Sequence, residues 1–151
     1  MRGSRFLASG SGPLALAAVV SCGGPAVPSA APPSDAAARA CQQVTGGAPW
    51  HGMDRVRGDR VTLDAYDDYF SPSCLVVPAG RTLTLVLTDR GHVPHTLEGD
   101  GTAVSASVDA GGTTFVTLPP LRHPVRLVCG IHEDERMMLA VVPEPGPAGG
   151  V

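Results

Sequence analysis

Thr82-Leu83-Thr84-Leu85-Val86-Leu87-Thr88 is the clearest structural signal in this chain of 151 residues. Leucine occupies every second position, and this period of two places the leucines on one face of a β-strand. Turn-forming clusters such as Pro78-Ala79-Gly80 and Asp89-Arg90-Gly91 flank the stretch. Short segments rich in apolar and β-branched residues, which also indicate strands, occur at residues 61–65, 115–117, 125–128 and 138–142.

Several short strands at this spacing, without a segment of helical period, predict an all-β protein. We expect a Greek-key β-sandwich of seven to eight strands, in which loops far apart in sequence meet at one end. The 19 glycines and 15 prolines agree with many turns. Aromatic residues make up only 4% of the chain, so small aliphatic side chains must fill the core.

The first 21 residues are predicted to be an export signal. Arg2 and Arg5 precede an apolar run at residues 14–20, which is too short to span a bilayer. Cys22 follows small residues in a pattern similar to a bacterial lipobox, so we expect it to be lipidated and to become the mature N-terminus. A plain secretory signal is the alternative.

The remaining chain divides by composition into three parts. Residues 22–45 are rich in Pro, Ala and Ser and are predicted to be a flexible tether. Residues 46–143 form the predicted domain, and residues 144–151 form a Pro/Gly-rich disordered tail.

Charge and motifs exclude several classes of function. The net charge is -3 and every basic residue is an arginine, so no concentrated basic face is available for nucleic acid. The sequence has no Gly-x-Ser-x-Gly elbow, phosphate-binding glycine loop or His-Glu-x-x-His motif. We therefore expect a protein that is not an enzyme.

Potential metal ligands are concentrated near the C-terminal end of the domain. Cys129-Gly130-Ile131-His132-Glu133-Asp134-Glu135-Arg136-Met137 follows an apolar run and offers a thiolate, an imidazole and a thioether. Copper is well matched to this set, with the thioether as a long axial ligand. A second imidazole is required, and His95, after another apolar run, is the candidate. Met138 competes with Met137, although neighbouring strand residues point to opposite faces.

One upstream histidine followed by Cys-x2-His-x4-Met resembles the ligand pattern of the cupredoxins, or blue copper proteins, with the spacing of plastocyanin-like members. Phe70-Ser71-Pro72 and Val77-Pro78-Ala79-Gly80 also resemble cupredoxin sequence. The resemblance covers residues 60–143. It implies one copper ion, cycling between Cu(II) and Cu(I). The implied ligands are His95, Cys129, His132 and Met137.

Two positions depart from the family pattern. Thr96 stands where cupredoxins usually have an asparagine that links the two ligand loops, and its hydroxyl can do part of that work. Residues 133–136 are charged, whereas plastocyanin-like loops are mostly small and apolar. They either favour a cationic partner or form a solvated turn.

Lipid on Cys22 and metal on Cys129 would leave Cys41 and Cys74. In an exported protein these two cysteines are predicted to form a disulfide, the alternative being two buried free thiols.

His92 is either a turn residue or a spare ligand, and we favour the turn.

A second histidine–methionine group lies in Pro49-Trp50-His51-Gly52-Met53. It either packs an N-terminal arm onto the domain or provides a weak second Cu(I) site, and we favour packing.

These features predict a monomeric, exported lipoprotein, held at the outer face of a bacterial membrane, that shuttles electrons between redox partner proteins. The alternative is copper sequestration or delivery with the same ligands but without redox cycling. A structural sandwich whose metal site has decayed is a third hypothesis.

Overall fold

The computed structural model describes residues 35–99, 101–132 and 137–144, which form one α-helix and ten β-strands. Cys22, the predicted signal peptide, the tail at 145–151 and the charged segment 133–136 lie outside the described residues. The elements are α1 Asp35–Thr45, β1 Met53–Arg55, β2 Arg60–Tyr66, β3 Tyr69–Ser71, β4 Cys74–Pro78, β5 Leu83–Asp89, β6 His95–Gly99, β7 Ser105–Val108, β8 Thr113–Leu118, β9 Val125–Val128 and β10 Met138–Glu144.

The strands form two mixed sheets. One has six strands in the order β1-β4-β10-β9-β6-β7, and the other has four in the order β3-β2-β5-β8. The pairs β1/β4, β4/β10 and β2/β5 are parallel, and the remaining pairs are antiparallel. The predicted β-sandwich is confirmed, with ten strands instead of seven to eight. The three-residue strands β1 and β3 are too short to show a period in the sequence.

The core lies between the two sheets and is built from the alternating side chains of their strands. Leu83, Leu85 and Leu87 of β5 are buried, while Thr84 and Val86 between them are partly exposed, as their period predicts. Side chains from the six-stranded sheet, among them Leu75, complete the same apolar cluster.

Strands β4 and β10 are buried on both faces because α1 covers their outer side. Leu75 and Val77 of β4 face the main core, whereas Cys74 and Val76 belong to a second apolar cluster with α1. Burial on both faces explains why Cys74-Leu75-Val76-Val77 is continuously apolar and does not alternate.

Helix α1 occupies the second half of the segment that the sequence assigned to a flexible tether. Its Ala37 and Cys41 are buried against the sheet, and Val44 packs beside them. This spacing of four and three residues is that of a helix face. Within the described part of the chain, no helix is long and apolar enough to cross a membrane.

A disulfide between Cys41 and Cys74 fixes α1 to β4, with a Cα–Cα distance of 5.9 Å. The predicted pairing is therefore confirmed, and the alternative of two free thiols is wrong for these residues. At the other end of the domain, β10 extends through Glu144, the first residue assigned to the tail.

The segment between α1 and β1 packs onto the domain. The ring of His51 stacks on Tyr69 with 3.8 Å between centroids, and its backbone N–H donates to Ser73 Oγ at 2.8 Å. Met53 packs against the cluster beneath α1. These contacts agree with the packing interpretation of the histidine–methionine group.

Loss of the disulfide should destabilise the domain. In a protein with Cys41→Ala and Cys74→Ala, we expect the free energy of unfolding to fall by about 3 kcal/mol, because the unfolded chain is no longer cross-linked. Denaturant unfolding measures this change. A reductant should lower the stability of the wild type but leave the double variant unaffected. Equal stability of the reduced and oxidised wild type would contradict the prediction.

Candidate metal centre

The two ligand-bearing segments meet because β6 and β9 are antiparallel neighbours. Glu98 of β6 pairs with Val128 of β9. In this register, the chain that leaves β9 runs toward the start of β6, where His95 lies. Cys129, the first residue after β9, is consequently placed beside Thr96.

Thr96 links the two segments by three contacts. Its backbone N–H donates to Cys129 Sγ at 3.3 Å, and its hydroxyl lies 3.8 Å from the same sulfur. The hydroxyl oxygen also accepts the N–H of Gly130 at 2.8 Å. Thr96 thus carries out the linking work expected of this position.

Backbone hydrogen bonds define the segment that follows Cys129. The N–H of Cys129 donates to the carbonyl of Met137 at 3.1 Å, and the N–H of His132 donates to the carbonyl of Cys129 at 3.3 Å. Gly130 lies against Glu98, so that a Cβ at this position would stand 2.6 Å from its carboxylate. The contacted atoms are the end of an exposed Glu98 side chain, which could move aside for a larger residue.

The two methionines differ in environment. Met137 is buried and belongs to the core cluster that contains Cys129. Met138 is only partly buried, begins β10 and pairs with Val128. Burial beside Cys129 is consistent with Met137 as the axial ligand, which stays a prediction.

The two imidazoles are close together. The rings of His95 and His132 have centroids 5.4 Å apart and an interplanar angle of 13°. Two atoms, His95 Nε2 and His132 Nδ1, are buried without a hydrogen-bond partner among the described residues. Since a buried polar atom without a partner is costly, these nitrogens are candidates for ligating a cation.

His95 also has a partner that the sequence analysis did not single out. Its Nδ1 is hydrogen-bonded to Asp89 Oδ2 at 2.7 Å, and both side chains are fully buried. The alternation of β5 contained the signal, because Asp89 continues the buried positions of Leu85 and Leu87. Its place in an Asp-Arg-Gly turn suggested a solvated residue instead.

The donor set fits copper in its chemistry. It comprises a buried thiol that already accepts a backbone N–H, two imidazole nitrogens that no described residue hydrogen-bonds, and a buried thioether, which are the ligand types of a blue copper site. Within residues 35–99, 101–132 and 137–144, no three His, Cys, Asp or Glu side chains are grouped closely enough to hold a metal ion. The side chains of the proposed ligands therefore do not surround a common metal position in this structure.

His92 is hydrogen-bonded to the carboxylate of Asp67 near the candidate metal centre. Asp67 Oδ1 accepts the backbone N–H of His92 at 2.6 Å, and Asp67 Oδ2 lies 2.8 Å from His92 Nδ1. The side-chain hydrogen bond and the negative charge of Asp67 raise the pKa of His92. The same bond, together with the backbone N–H, lowers the pKa of Asp67. These contacts support the turn interpretation of His92.

The chain belongs to the cupredoxin-like domain family, whose sequence model matches residues 51–141. The recognised resemblance is thereby confirmed at the level of the family, while the plastocyanin-like spacing stays a prediction. The sequence matches no curated protein significantly.

Several solved structures are similar to the chain. Auracyanin from Roseiflexus castenholzii matches at 13% identity over 58% of this chain and 98% of that protein, with a TM-score of 0.49. A purple cupredoxin from Nitrosopumilus maritimus matches at 15% identity over 55% and 98%, with a TM-score of 0.45. A laccase-like multicopper oxidase from Ochrobactrum sp. matches at 12% identity over 66% of this chain but only 30% of the oxidase, with a TM-score of 0.51. At such identities, likeness bears on the fold alone.

Removing the Thr96 hydroxyl should loosen the connection between the ligand segments. Thr96→Val keeps the side-chain shape but leaves the Gly130 N–H without its acceptor, so we expect about 1 kcal/mol of destabilisation. Urea unfolding measures the loss, and hydrogen exchange at the Gly130 amide should become faster. Thr96→Ser, which keeps the hydroxyl, is the matched control. Equal behaviour of the two variants would show that the hydroxyl does not link the segments.

The Asp67–His92 pair should be visible in a pH titration. Because the pKa of His92 is raised and that of Asp67 is lowered, the pair stabilises the folded protein between about pH 4 and 6.5. This contribution is lost as the pH rises through the raised value or falls through the lowered one. In Asp67→Asn, the NMR titration midpoint of His92 should fall. The signal of exposed His123 should be the same in both proteins, and an unchanged His92 midpoint would refute the assignment.

Proposed function

We propose that this protein binds one copper ion in a type 1 site and carries single electrons between redox proteins. The ligands are His95, Cys129, His132 and Met137. The proposal rests chiefly on two buried imidazole nitrogens that have no hydrogen-bond partner in the described part of the chain, in His95 and His132, and on the hydrogen bond of Thr96 to the buried Cys129 between them. Bound copper would supply a one-electron couple between Cu(II) and Cu(I), for which this ligand set suits both states.

The protein's own groups prepare the cysteine for this role. The Thr96 N–H aimed at Cys129 Sγ favours negative charge on the sulfur, and a thiolate is the form that ligates metal. Cys129 and Met137 are both buried in the apolar core, which keeps water away from the sulfurs. A thioether is a weak donor, so Met137 as a ligand would raise the reduction potential.

A partner could approach at the histidine end of the domain. His132 is only partly buried, and its neighbour Ile131 is 50% exposed. Val93, two residues before His95, is 44% exposed. Exposed apolar side chains next to both proposed ligands would allow a redox protein to dock within electron-transfer distance. A cationic partner follows from the charged segment 133–136 as a further part of the proposal.

The proposed location is the outer face of a bacterial membrane. The disulfide between Cys41 and Cys74 supports export, because such bonds persist in oxidising compartments. Lipid on Cys22 would then hold the monomeric domain at the membrane, with a tether that ends before α1.

Copper addition tests the proposal directly. Cu(II) added to the purified protein should produce an intense thiolate-to-copper absorption band, and Cys129→Ser should abolish it because the thiolate is gone. Met137→Leu should shift the reduction potential, whereas Met138→Leu, its matched control, should shift it little. Optical spectra and voltammetry give the two readouts.

Three results would count against parts of the proposal. A colourless protein after copper addition would refute the type 1 site. Equal shifts from both methionine variants would refute the axial assignment. Rapid loss of copper on reduction would indicate copper delivery instead of electron transfer.

A further inference from the structure

We propose that strand β8 pairs with β8 of a second copy of this chain, so that two four-stranded sheets join into one continuous sheet. The inference goes beyond the candidate metal centre and does not depend on it. In dilute solution the chain remains the monomer expected from its sequence. Pairing occurs at the high local concentration that the proposed membrane anchor would provide.

β8 is an edge strand without the features that normally prevent pairing. Among the described residues, it is the last strand of its sheet and pairs with β5 alone. Its six residues, Thr113–Leu118, include no charge and no proline. Proteins usually protect edge strands by charges, prolines or short length. The other edge strands, β1, β3 and β7, have three or four residues, and β1 contains Asp54 and Arg55.

The backbone hydrogen-bonding groups of alternate β8 residues point away from β5. In an antiparallel ladder, hydrogen-bonded residue pairs alternate with pairs that are not hydrogen-bonded to each other. The N–H of Asp89 donates to the carbonyl of Gly112 at 2.9 Å, so every second residue after Gly112 is bonded to β5. The N–H and C=O groups of Thr113, Phe115 and Thr117 therefore face outward from the sheet edge.

The side chains of the same three residues are exposed, and Phe115 is the most prominent of them. Its ring is 65% exposed, although it is a large apolar group. The guanidinium carbon of Arg60 lies 5.7 Å from the ring centroid, which is a cation–π contact that holds the ring over the sheet. An exposed aromatic ring beside outward backbone groups favours contact with another strand.

The sequence of the edge makes a second copy of β8 the matching occupant. The outward residues are Thr113, Phe115 and Thr117, and this order reads the same in both directions. Antiparallel pairing centred on Phe115 therefore sets Phe115 against Phe115 and Thr113 against Thr117, with about six hydrogen bonds between the strands. Aromatic and threonine pairs across strands are favourable. A twofold pair of this kind closes on itself and adds no third copy.

The charges at the two ends of β8 are complementary in the same arrangement. Asp109 precedes the strand and Arg122 follows it, and both are exposed. Antiparallel pairing brings the acidic end of one copy to the basic end of the other, and the twofold axis repeats this match. Opposite charges assist encounter in the correct register. A single strand edge buries a small area, so we expect a dissociation constant of about 1 mM.

NMR of the metal-free, full-length chain at increasing concentration is the first test. The rotational correlation time from ¹⁵N relaxation should rise about 1.5-fold between about 20 μM and 2 mM. Hydrogen exchange at the Phe115 and Thr117 amides should slow by about twofold over this range. The amides of Thr114 and Val116, which face β5, should not change. A constant correlation time would overturn the proposal, as would slowing confined to amides outside β8.

Phe115→Lys tests the centre of the proposed pair. It removes the aromatic pair and places like charges opposite each other, so it should weaken association by more than about tenfold. Val86→Lys is the matched control, because Val86 is the cross-strand neighbour of Phe115 on the same face but lies on β5, away from the edge. It should weaken association by less than about twofold. Equal losses would indicate general charge repulsion and reject pairing at the edge.

A mixing experiment tests the twofold register. Phe115→Lys and Phe115→Glu should each stay monomeric alone but associate when mixed, because residue 115 of one copy lies opposite residue 115 of the other. Sedimentation velocity gives the readout. A mixture that associates no more than its components would reject this register. If a variant fails to fold, amide exchange at Phe115 in the wild type still distinguishes pairing from its absence.

Discussion

The antiparallel pairing of β6 with β9 is the constraint on which the candidate site depends. Among the described residues, the pairs of this ladder are Glu98 with Val128 and Gly99 with Leu127. A Cβ at Gly99 would collide with the side chains of Thr102 and Leu127, so glycine at this position leaves room for both. Toward the candidate site, Thr96 adds hydrogen bonds to Cys129 and Gly130. Without this pairing, the proposed sulfur and imidazole ligands would lie on unconnected loops.

Helix α1 stabilises β10, the strand that follows the candidate metal centre. β10 begins directly after Met137, and its Leu139 and Val141 face the main core. Its Ala140 and Val142 face the cluster beneath α1. The disulfide joins that helix to β4, the parallel neighbour of β10. The position of Met137 is therefore supported from both faces of one strand.

Sequence reasoning recovered the features that have a strong period or a recognisable spacing. The leucines of β5 alternate along the strand, so their burial was predictable. The Cys-x2-His spacing of Cys129 and His132 predicted metal ligands, and this assignment stays a prediction. α1 was missed because its apolar face consists of small residues in an alanine-rich segment, and the sheet and disulfide that bury it are tertiary features. The contact of Asp89 with His95 was not predictable from spacing, since it depends on how the loop at residues 90–94 returns the chain to the buried carboxylate. The buried position of Asp89 in the β5 alternation was a usable signal, but turn chemistry at the same residue concealed it.

Opposing electrostatic effects meet at the proposed copper site. With Cu(II) bound, an Asp89 carboxylate and a Cys129 thiolate would together balance the charge of the ion, whereas Cu(I) would leave one negative charge in excess. Burial disfavours that excess charge and so favours Cu(II). The Thr96 N–H on the sulfur, and the weak thioether of Met137 if it binds the ion, would act in the other direction. In the proposed site, a charged Asp89 would therefore lower the reduction potential without being a ligand, because it lies behind His95.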